Sequence, residues 1–518
     1  MDEPGLTSRA QALTELGERK FDLLVIGGGI VGAGIAEAAS AHGLAVALVD
    51  KGDFASATSS ASSKLIHGGL RYLRLGDVRL VREAHRERRA LMSVVAPHLV
   101  RRLPFLLPLY EDGPYRPWFV QSGILLYSTL ARARLNGLVA VERARRMVPE
   151  LRDERLRSCA LYADAWTNDG RLTLANVRAA ADTGATVVNY AEVVALRSAG
   201  RRLEGAEVSV DGHIVAVSAR AVVNASGPWV DHVRRLEDPR AGSSIRLSKG
   251  VHAVLEGGEH WGAALTISHD KVRVSFAVPW EGMLLLGTTD TLHEGSPDDV
   301  AVDDADVEQV LAEAARALDP ALVTRNRIRS SFAGLRVLPG GEGATANARR
   351  ETVYMRGPGG MLTVAGGKLT TYRRIALEAL DHVRADLGLH RLDRRPQPLP
   401  GAVGLDSVAF PESLDPATRS HLLHLYGSLA EDVVGLAADD PSLLEPIAPG
   451  APDLAAQAVY AARHEWARTP DDFLRRRTTL ALRGRTEPEV VQRVERLLGD
   501  QRQLAVLREA GDADADQP

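Results

Sequence analysis

A glycine-rich turn between two short apolar runs constrains this chain more than any other feature. It lies in residues 21–50, FDLLVIGGGIVGAGIAEAASAHGLAVALVD, where Gly27, Gly29 and Gly32 form a G-x-G-x-x-G pattern. The first glycine permits a tight strand-to-helix turn, the second lets a pyrophosphate approach the backbone, and the third lets helix and strand pack closely. Asp50 ends the second run, where a carboxylate can accept a hydrogen bond from a ribose hydroxyl. The segment therefore predicts a dinucleotide site on a β-α-β unit, with the phosphates at the helix N-terminus.

Composition limits the classes of protein to which the chain can belong. Its 518 residues are enough for about two or three domains, and 45% apolar and 25% charged residues are ordinary for a globular protein. The net charge of -4 gives no reason to expect a nucleic-acid partner. Cys159 is the single cysteine, so an intramolecular disulfide and C-x-x-C chemistry are excluded and a reducing cytoplasm is expected.

Any membrane contact is expected to be peripheral. Residues 1–20 are polar and mixed in charge, so no signal peptide is expected. No run approaches the roughly 18 apolar residues that a transmembrane helix needs. The apolar stretch Trp118–Leu135, with Arg132 and Arg134 near its end, fits two interpretations. It is either a core helix or an interfacial anchor whose arginines meet lipid headgroups.

Two further glycine turns indicate a long cofactor held by distant parts of the chain. An NAD-dependent dehydrogenase would be expected to run from the first β-α-β unit directly into a third strand. Here the next comparable strand ends far downstream at Ser226–Gly227, and another ends at Gly366–Gly367. The segment Asp53–Leu73 is rich in Ser, Ala and Gly, which fits either a plain loop or a stretch beneath a flat cofactor. Together these features favour FAD over NAD.

The expected fold class is α/β plus all-α, with three parts. A Rossmann-like FAD-binding domain is assembled from discontinuous segments, a β-rich substrate or cap domain interrupts it, and a helical domain follows the Pro-rich linker at 394–401. The expected boundaries are 17–102, 150–244 and 335–393 for the FAD-binding domain, 103–149 and 245–334 for the cap domain, 402–510 for the C-terminal helical domain and 511–518 for a disordered tail.

Eight stretches of sequence carry a resemblance to a known family. They are GGGIVGAGIA (27–36), ATSSASSKLIHGGLRYL (57–73), VVNASGPWV (222–230), SKGVHAV (248–254), LGTTDT (286–291), SFAGLRVLP (331–339), AGGKLTTYR (365–373) and ARHEWARTPDDFLRRRT (462–478). In this order they resemble the FAD-dependent glycerol-3-phosphate dehydrogenases, a branch of the D-amino-acid-oxidase-like flavoproteins. SSKLIHGGLRYL and GGKLTTYR are long and specific, whereas SGPWV alone is shared across the wider superfamily. The resemblance spans nearly the whole chain.

The resemblance implies FAD as the cofactor and no metal ion. It implies that sn-glycerol 3-phosphate is oxidised to dihydroxyacetone phosphate by hydride transfer to flavin N5. The residues expected at the cofactor are Gly27, Gly29, Gly32, Asp50, Thr58, Ser59, Ser62, Ser63, Lys64, Leu65, His67, Gly69, Ala225, Gly227, Trp229, Gly366, Gly367, Lys368, Leu369 and Thr370. A helix that begins after the last glycine pair is expected to stabilise negative charge on the reduced flavin.

At the substrate, a phosphate needs fixed cationic donors, and arginine provides bidentate geometry. The residues expected to bind substrate are Arg71, Tyr72, Arg336 and Lys368. A base must also take the hydroxyl proton, a task that suits histidine. The expected catalytic set is therefore His252, Arg336 and Lys368, and which group takes the proton stays open.

The electron acceptor expected from the resemblance is a membrane quinone. This places the protein in the cytoplasm, peripheral on the inner face of the cytoplasmic membrane, and leaves a homodimer open. The alternatives are an oxidase that uses molecular oxygen, a flavin oxidase acting on amines, and a non-catalytic flavoprotein that binds a partner through its helical domain. The last of these would keep the dinucleotide unit but would not need Arg71, Arg336 and His252 together.

Overall fold

Two β-sheets and a C-terminal group of helices make up the computed structural model, which describes residues 8–69, 77–131, 137–271, 273–340 and 352–515. The strands are β1 (Lys20–Ile26), β2 (Val46–Val49), β3 (Leu65–Ile66), β4 (Val100–Tyr110), β5 (Leu138–Val139), β6 (Leu156–Thr167), β7 (Thr186–Val188), β8 (Ala191–Ala199), β9 (Arg202–Val210), β10 (His213–Asn224), β11 (Ile245–Glu256), β12 (Ala264–Ser268), β13 (Val274–Trp280), β14 (Met283–Gly287), β15 (Thr291–His293), β16 (Ile328–Pro339), β17 (Val353–Arg356) and β18 (Leu362–Ala365). The α-helices are Arg9–Glu18, Ile30–Ser40, Val78–Ala90, Pro117–Ala131, Val141–Met147, Asp169–Asp182, Val230–Glu237, Asp304–Ala314, Tyr372–Leu387, Pro416–Tyr426, Ala430–Gly435, Ala455–His464, Pro470–Asp472 and Pro488–Ala515.

The first sheet is built on parallel pairing of β1 with strands from distant parts of the chain. In the described residues its order is β17-β18-β10-β1-β2-β7, and β9 and β8 extend it antiparallel from β10. β1 lies parallel to β10 on one side and to β2 on the other. Leu23, Leu24 and Val25 are fully buried, as predicted for a strand that is covered on both faces. The discontinuous Rossmann-like unit predicted from the sequence is confirmed.

Helices cover both faces of this sheet. Ile30–Ser40, Asp169–Asp182 and Tyr372–Leu387 share one apolar core with β1 and β2, and Arg9–Glu18 packs on the opposite face. The helices Ile30–Ser40 and Tyr372–Leu387 approach each other closely because Gly34 has no side chain. A Cβ there would lie 2.9 Å from a ring carbon of Tyr372.

The second sheet carries the β-rich part of the chain. Across the described ranges its order is β15-β11-β14-β13-β12-β4-β6-β3, with β16 beside β11 and β5 beside β6. β6 pairs with β4 along almost its whole length. The expected boundaries grouped 150–244 with the FAD-binding segments, which differs from this pairing, because the long antiparallel ladder with β4 joins β6 to the second sheet. The domain boundaries as a whole stay a prediction.

The C-terminal helices enclose a core of their own and dock on the rest of the molecule through buried polar contacts. Arg171, in the first sheet's helix layer, donates to Glu465 at 2.7 Å and lies 4.2 Å from the ring centre of Tyr426. The predicted all-α region is confirmed. The last helix, Pro488–Ala515, extends into the segment from Gly511 that the sequence predicted as a disordered tail, and that tail stays a prediction.

The helix Pro117–Ala131 packs in the core on one face, and its interpretation as an interfacial anchor stays a prediction. Ile124 and Tyr127 are each 1% exposed and pack in a core of the second sheet, whereas Trp118 is 69% and Leu126 47% exposed. One face is therefore core and the other meets solvent. Residues 132–135, with the two predicted headgroup arginines, lie outside the described residues. None of the helices in the described ranges has the length and apolar character needed to cross a bilayer.

Candidate functional site

The turn after β1 brings the following helix close to the strand. Gly27 has φ of 104°, and a Cβ there would lie 2.7 Å from the carbonyl oxygen of Ala225, just beyond β10. A Cβ at Gly32 would overlap the carbonyl oxygen of Gly27. The first and third glycines therefore stand where a tight turn and close helix–strand packing require them, as the sequence predicts.

Asp50 follows β2 and faces this turn. Its carboxylate accepts backbone hydrogen bonds from Gly28 at 2.6 Å and from Gly52 at 2.8 Å. Burial raises the pKa of Asp50 to about 6, against the opposing effect of these two donors. The Ser59 hydroxyl accepts the N–H of Ile30, in the first turn of the helix, at 2.8 Å. The turn, the helix N-terminus and a half-buried carboxylate thus lie side by side.

A cavity of about 1060 Å³ runs from this turn past Ser226–Gly227 and Gly366–Gly367 to His252 and Arg336 in the second sheet. Its volume is at the upper end of the usual range for small-molecule sites, about 300–1,000 Å³. The predicted site residues that line it are Gly27, Gly29, Asp50, Thr58, Ser59, Ser62, Ser63, Leu65, His67, Gly69, Ala225, Gly227, Trp229, His252, Arg336, Gly366, Gly367, Lys368, Leu369 and Thr370. Segments separated by more than a hundred residues therefore surround one space.

Two of the residues predicted to contact the cofactor, Gly32 and Lys64, do not line the cavity. Gly32 packs against the β1 turn and does not line the cavity. Lys64 is also absent from the cavity wall, because its ammonium donates to Asp169 at 2.5 Å and to the Ser60 carbonyl at 2.6 Å. Lys64 therefore contacts the Ser-, Ala- and Gly-rich segment at Ser60 without facing the cavity. Arg71 and Tyr72 lie outside the described residues.

His252 lies on β11 at the far end of the cavity. Its Nε2 is 2.9 Å from the Ser63 hydroxyl, and its ring stacks on Phe332 with ring centres 4.9 Å apart. Burial, reinforced by the positive charges of Arg336 and Lys64, holds the pKa of His252 well below its ordinary value. The imidazole is therefore neutral at physiological pH and able to accept a proton.

Arg336 lies on β16 with its guanidinium over Gly250. Nη2 donates to Thr288 Oγ1 at 2.8 Å and Nη1 to the Thr289 carbonyl at 3.1 Å. A Cβ at Gly250 would lie 2.6 Å from Nη2, so a side chain there would displace the guanidinium. Gly334, which the sequence placed beside Arg336, is instead covered by Ala61.

Sequence reasoning missed the residues that position Arg336 and the apolar side of the cavity. Thr288 and Thr289 belong to the LGTTDT motif, and that motif is the feature of the sequence that could have identified them. The apolar wall includes Phe105 of β4, Tyr162 of β6 and one flank of the helix Pro117–Ala131. No local pattern marks these residues, because the antiparallel ladder of β4 and β6 brings them to the cavity.

Comparison with known proteins identifies the family. The family model described as FAD dependent oxidoreductase matches residues 22–373, and that of the C-terminal domain of alpha-glycerophosphate oxidase matches residues 364–505. Glycerol-3-phosphate dehydrogenase 2 of Mycobacterium tuberculosis is 38% identical over 501 residues, covering 92% of this chain and 84% of its own. The chain belongs to the FAD-dependent oxidoreductases, in their glycerol-3-phosphate dehydrogenase branch.

Two further similarities fall within the same branch or close to it. The structure of the glycerol-3-phosphate dehydrogenase from Bacillus halodurans complexed with FAD superposes with a TM-score of 0.73 at 28% identity, covering 96% of this chain and 97% of the other. D-erythritol 1-phosphate dehydrogenase of Brucella abortus is 36% identical over 482 residues, covering 88% of this chain and 94% of its own. Membership of this FAD-dependent branch confirms the predictions of fold class, enzyme class and cofactor.

The residues around the cavity fit FAD. The glycine turn and the helix N-terminus after it offer N–H groups to a pyrophosphate, and Asp50 is a half-buried acceptor for a ribose hydroxyl. Gly366 and Gly367 have φ of 79° and 98°, a conformation that lets bare backbone border the cavity. Within the described ranges, no group of three or more His, Cys, Asp or Glu residues is placed to hold a metal ion.

The pKa of Asp50 predicts that FAD affinity depends on pH. In the apoprotein this pKa is raised above its ordinary value of about 3.9, so ionising Asp50 costs stability as pH rises from about 4 through about 6. A ribose hydroxyl donor favours the ionised form, so the dissociation constant of FAD should rise as pH falls through about 6. Fluorescence titration of the apoprotein with FAD between pH 5 and 8 measures this. Asp50→Asn should bind FAD more weakly and without this pH dependence; a pH-dependent variant would contradict the assignment.

Proposed function

We propose that this protein oxidises sn-glycerol 3-phosphate to dihydroxyacetone phosphate. The observation that carries the proposal is that a guanidinium, Arg336, and a buried neutral histidine, His252, face the same cavity as the dinucleotide turn. FAD, when bound, supplies a two-electron acceptor for the hydrogen on C2 of the substrate, which leaves as a hydride. The hydroxyl proton on that carbon must pass to a base as the carbonyl forms. The name of the relative that is 38% identical supports this substrate.

Arg336 is the phosphate anchor in this proposal. Thr288 and Thr289 fix the plane of its guanidinium before substrate arrives, which lowers the entropic cost of binding. A planar group with several N–H donors also matches phosphate oxygens better than a point charge does. Lys368 lines the same cavity and adds positive charge. Arg71 and Tyr72 stay predicted substrate contacts.

His252 is the base in this proposal. Its pKa is low in the unliganded protein partly because Arg336 is close. A phosphate dianion bound by Arg336 offsets that positive charge and so raises the pKa of His252 toward the working pH. Substrate binding thereby prepares the base for the proton that it must take. Ser63, 2.9 Å from Nε2, holds the imidazole in place.

In this proposal, Lys368 and the turn that follows it stabilise the negative charge that develops on the cofactor. Lys368 precedes the turn Leu369–Thr371, of which Leu369 and Thr370 line the cavity, and the helix Tyr372–Leu387 follows that turn. Helix N–H groups and the lysine together favour negative charge at this edge. In this proposal Arg336 binds the phosphate, His252 removes the proton and Lys368 stabilises negative charge on the cofactor.

Anaerobic flavin reduction tests the substrate. Glycerol 3-phosphate should bleach the oxidised flavin of the holoenzyme, and free glycerol should do so far more slowly because it cannot use the phosphate anchor. D-erythritol 1-phosphate belongs in the same experiment, since the Brucella abortus relative carries that name. More efficient reduction by erythritol 1-phosphate would reassign the substrate, and equal reduction by glycerol would contradict a phosphate site.

The same measurement on Arg336→Ala tests the anchor. Loss of a charge-assisted contact should raise KM for glycerol 3-phosphate by an amount equivalent to about 1.5–3 kcal/mol. Arg325→Ala is the matched control, because Arg325 is exposed and pairs with Asp304 outside the cavity. Arg325→Ala should retain the wild-type KM.

Proton removal is tested with His252→Ala. At saturating substrate the variant should reduce its flavin about 10²–10⁴-fold more slowly. The wild-type rate should fall at acidic pH as His252 becomes protonated, and the variant should lack that inflection. Stopped-flow reduction measured across pH, after checking that the variant retains FAD, provides both results. A wild-type rate and pH profile in His252→Ala would show that another group is the base.

Electrons then pass to a membrane quinone in this proposal, with the protein on the inner face of the cytoplasmic membrane. Support comes from the solvent-facing side of the helix Pro117–Ala131, where Trp118, Phe119, Leu125 and Leu126 are exposed. Phe119 and Leu126 also line the cavity, so this apolar face is continuous with the flavin site. A helix that exposes several apolar and aromatic side chains to solvent is suited to lie against a bilayer interface.

Vesicle binding tests this face of the helix. Trp118→Glu combined with Leu125→Glu should release the protein from anionic liposomes and slow quinone reduction, because two charges would enter the acyl boundary. Neither residue lines the cavity, so flavin reduction by glycerol 3-phosphate should stay near normal. Ile214→Glu, at a site that is 59% exposed on β10, is the matched control. Unchanged liposome binding in the double variant would exclude the helix as the anchor.

A further inference from the structure

A buried carboxylate joins the C-terminal helices to the loop that follows β2. Asp53 is 1% exposed, and its side chain accepts hydrogen bonds from Arg476 Nε at 2.5 Å, from Arg477 Nη2 at 2.8 Å and from Asn189 Nδ2 at 3.1 Å. Arg477 Nη1 makes a further contact with the same carboxylate. Two guanidiniums from one end of the chain therefore converge on one carboxylate near the other end.

The arginines are held firmly on their own side. Both lie in the π-helical turn Phe473–Arg477 and are buried, with Arg477 fully enclosed. Arg476 also donates to Asp472 at 2.8 Å, and Arg477 Nε donates to the Glu465 carbonyl at 3.1 Å. Because each guanidinium has fixed partners within the C-terminal helices, Asp53 receives a rigid pair of donors.

The loop that carries Asp53 is also the loop that borders the FAD site. The Phe54 ring meets Trp466 edge-on, with ring centres 5.5 Å apart, and the same ring occupies the space where a Cβ on Gly28 would lie. Ala55 donates to the Gly28 carbonyl at 3.1 Å and has φ of 63°, a conformation unfavourable for alanine. Contacts with the C-terminal helices thus hold a strained loop against the dinucleotide turn.

We propose that the C-terminal helices retain the cofactor, with Asp53, Arg476 and Arg477 as positioning residues for FAD. None of the three lines the cavity. They act by holding the loop from Asp50 to Ser56, which does line it, in the conformation that binds the cofactor. A loop ordered in advance costs less conformational entropy on binding, so the contact strengthens FAD affinity without touching FAD. This inference rests on FAD binding alone and is independent of the substrate and of the electron acceptor.

Asp53→Asn tests the proposal in the full-length protein. The variant keeps the shape of the side chain but removes the charge that both arginines meet. Its dissociation constant for FAD should rise by about tenfold or more, and the increase in Tm that FAD produces in the apoprotein should shrink. At saturating FAD, flavin reduction by substrate should stay within about twofold of wild type, because no catalytic group has moved. Arg475→Ala is the matched control, since Arg475 belongs to the same turn but pairs with exposed Asp471.

Two further variants separate cofactor positioning from a merely structural bridge. Trp466→Leu removes the ring that supports Phe54 while leaving the ion pairs, and it should also weaken FAD binding; it replaces Asp53→Asn if that variant does not fold. Arg477→Lys keeps the charge and should recover part of the affinity that Arg477→Gln loses. Equal falls in Tm for apoprotein and holoprotein, with an unchanged dissociation constant for FAD in Asp53→Asn and Trp466→Leu, would overturn the proposal.

Discussion

The parallel pairing of β1 with β10 is the interaction on which the rest of the structure depends. Residues 20–26 pair in register with residues 218–224, and β18 joins β10 on its far side. The carboxyl ends of parallel strands meet at one edge of a sheet. The glycine turn after β1 and the turns at Ser226–Gly227 and Gly366–Gly367 are therefore neighbours, although they are far apart in the chain. One backbone constraint thus assembles a cofactor site from three segments.

The strand register of the second sheet places Arg336 and His252 on the same face. In the antiparallel ladder of β11 and β16, Ser248 lies opposite Arg336 and His252 lies opposite Phe332. Side chains alternate along a strand, and directly paired residues share a face of the sheet. Arg336 and His252 consequently point to the same side, where they meet the small-residue segment that carries Ser63. A slip of one residue in this register would move Arg336 to the other face.

Buried ion pairs give the molecule its specific arrangement of parts. Lys64 with Asp169, Arg171 with Glu465, and Arg477 with Asp53 each join segments that are far apart in sequence. Removing one partner of a buried pair leaves an uncompensated charge, at a cost of about 3–5 kcal/mol. Such pairs are satisfied in only one relative placement of the segments. Two of these pairs, Arg171 with Glu465 and Arg477 with Asp53, join the C-terminal helices to the rest of the molecule, so displaced helices would leave buried charges unpaired.

The sequence by itself determined the elements whose physics is local. Glycine spacing, an apolar run buried on both faces and a terminal carboxylate specified the β1 turn and Asp50, and long motifs marked His252, Arg336 and the turn at Gly366–Gly367. Only the tertiary structure decided which side chains face the cavity and which pack into the core. Lys64 turned inward to Asp169, Ile124 packed into the core beside exposed Trp118 and Leu125, and Asp53 met two arginines from the far end of the chain. These outcomes depend on sheet register and on the pairing of buried charges, which are properties of segments in contact and leave no pattern in either segment alone.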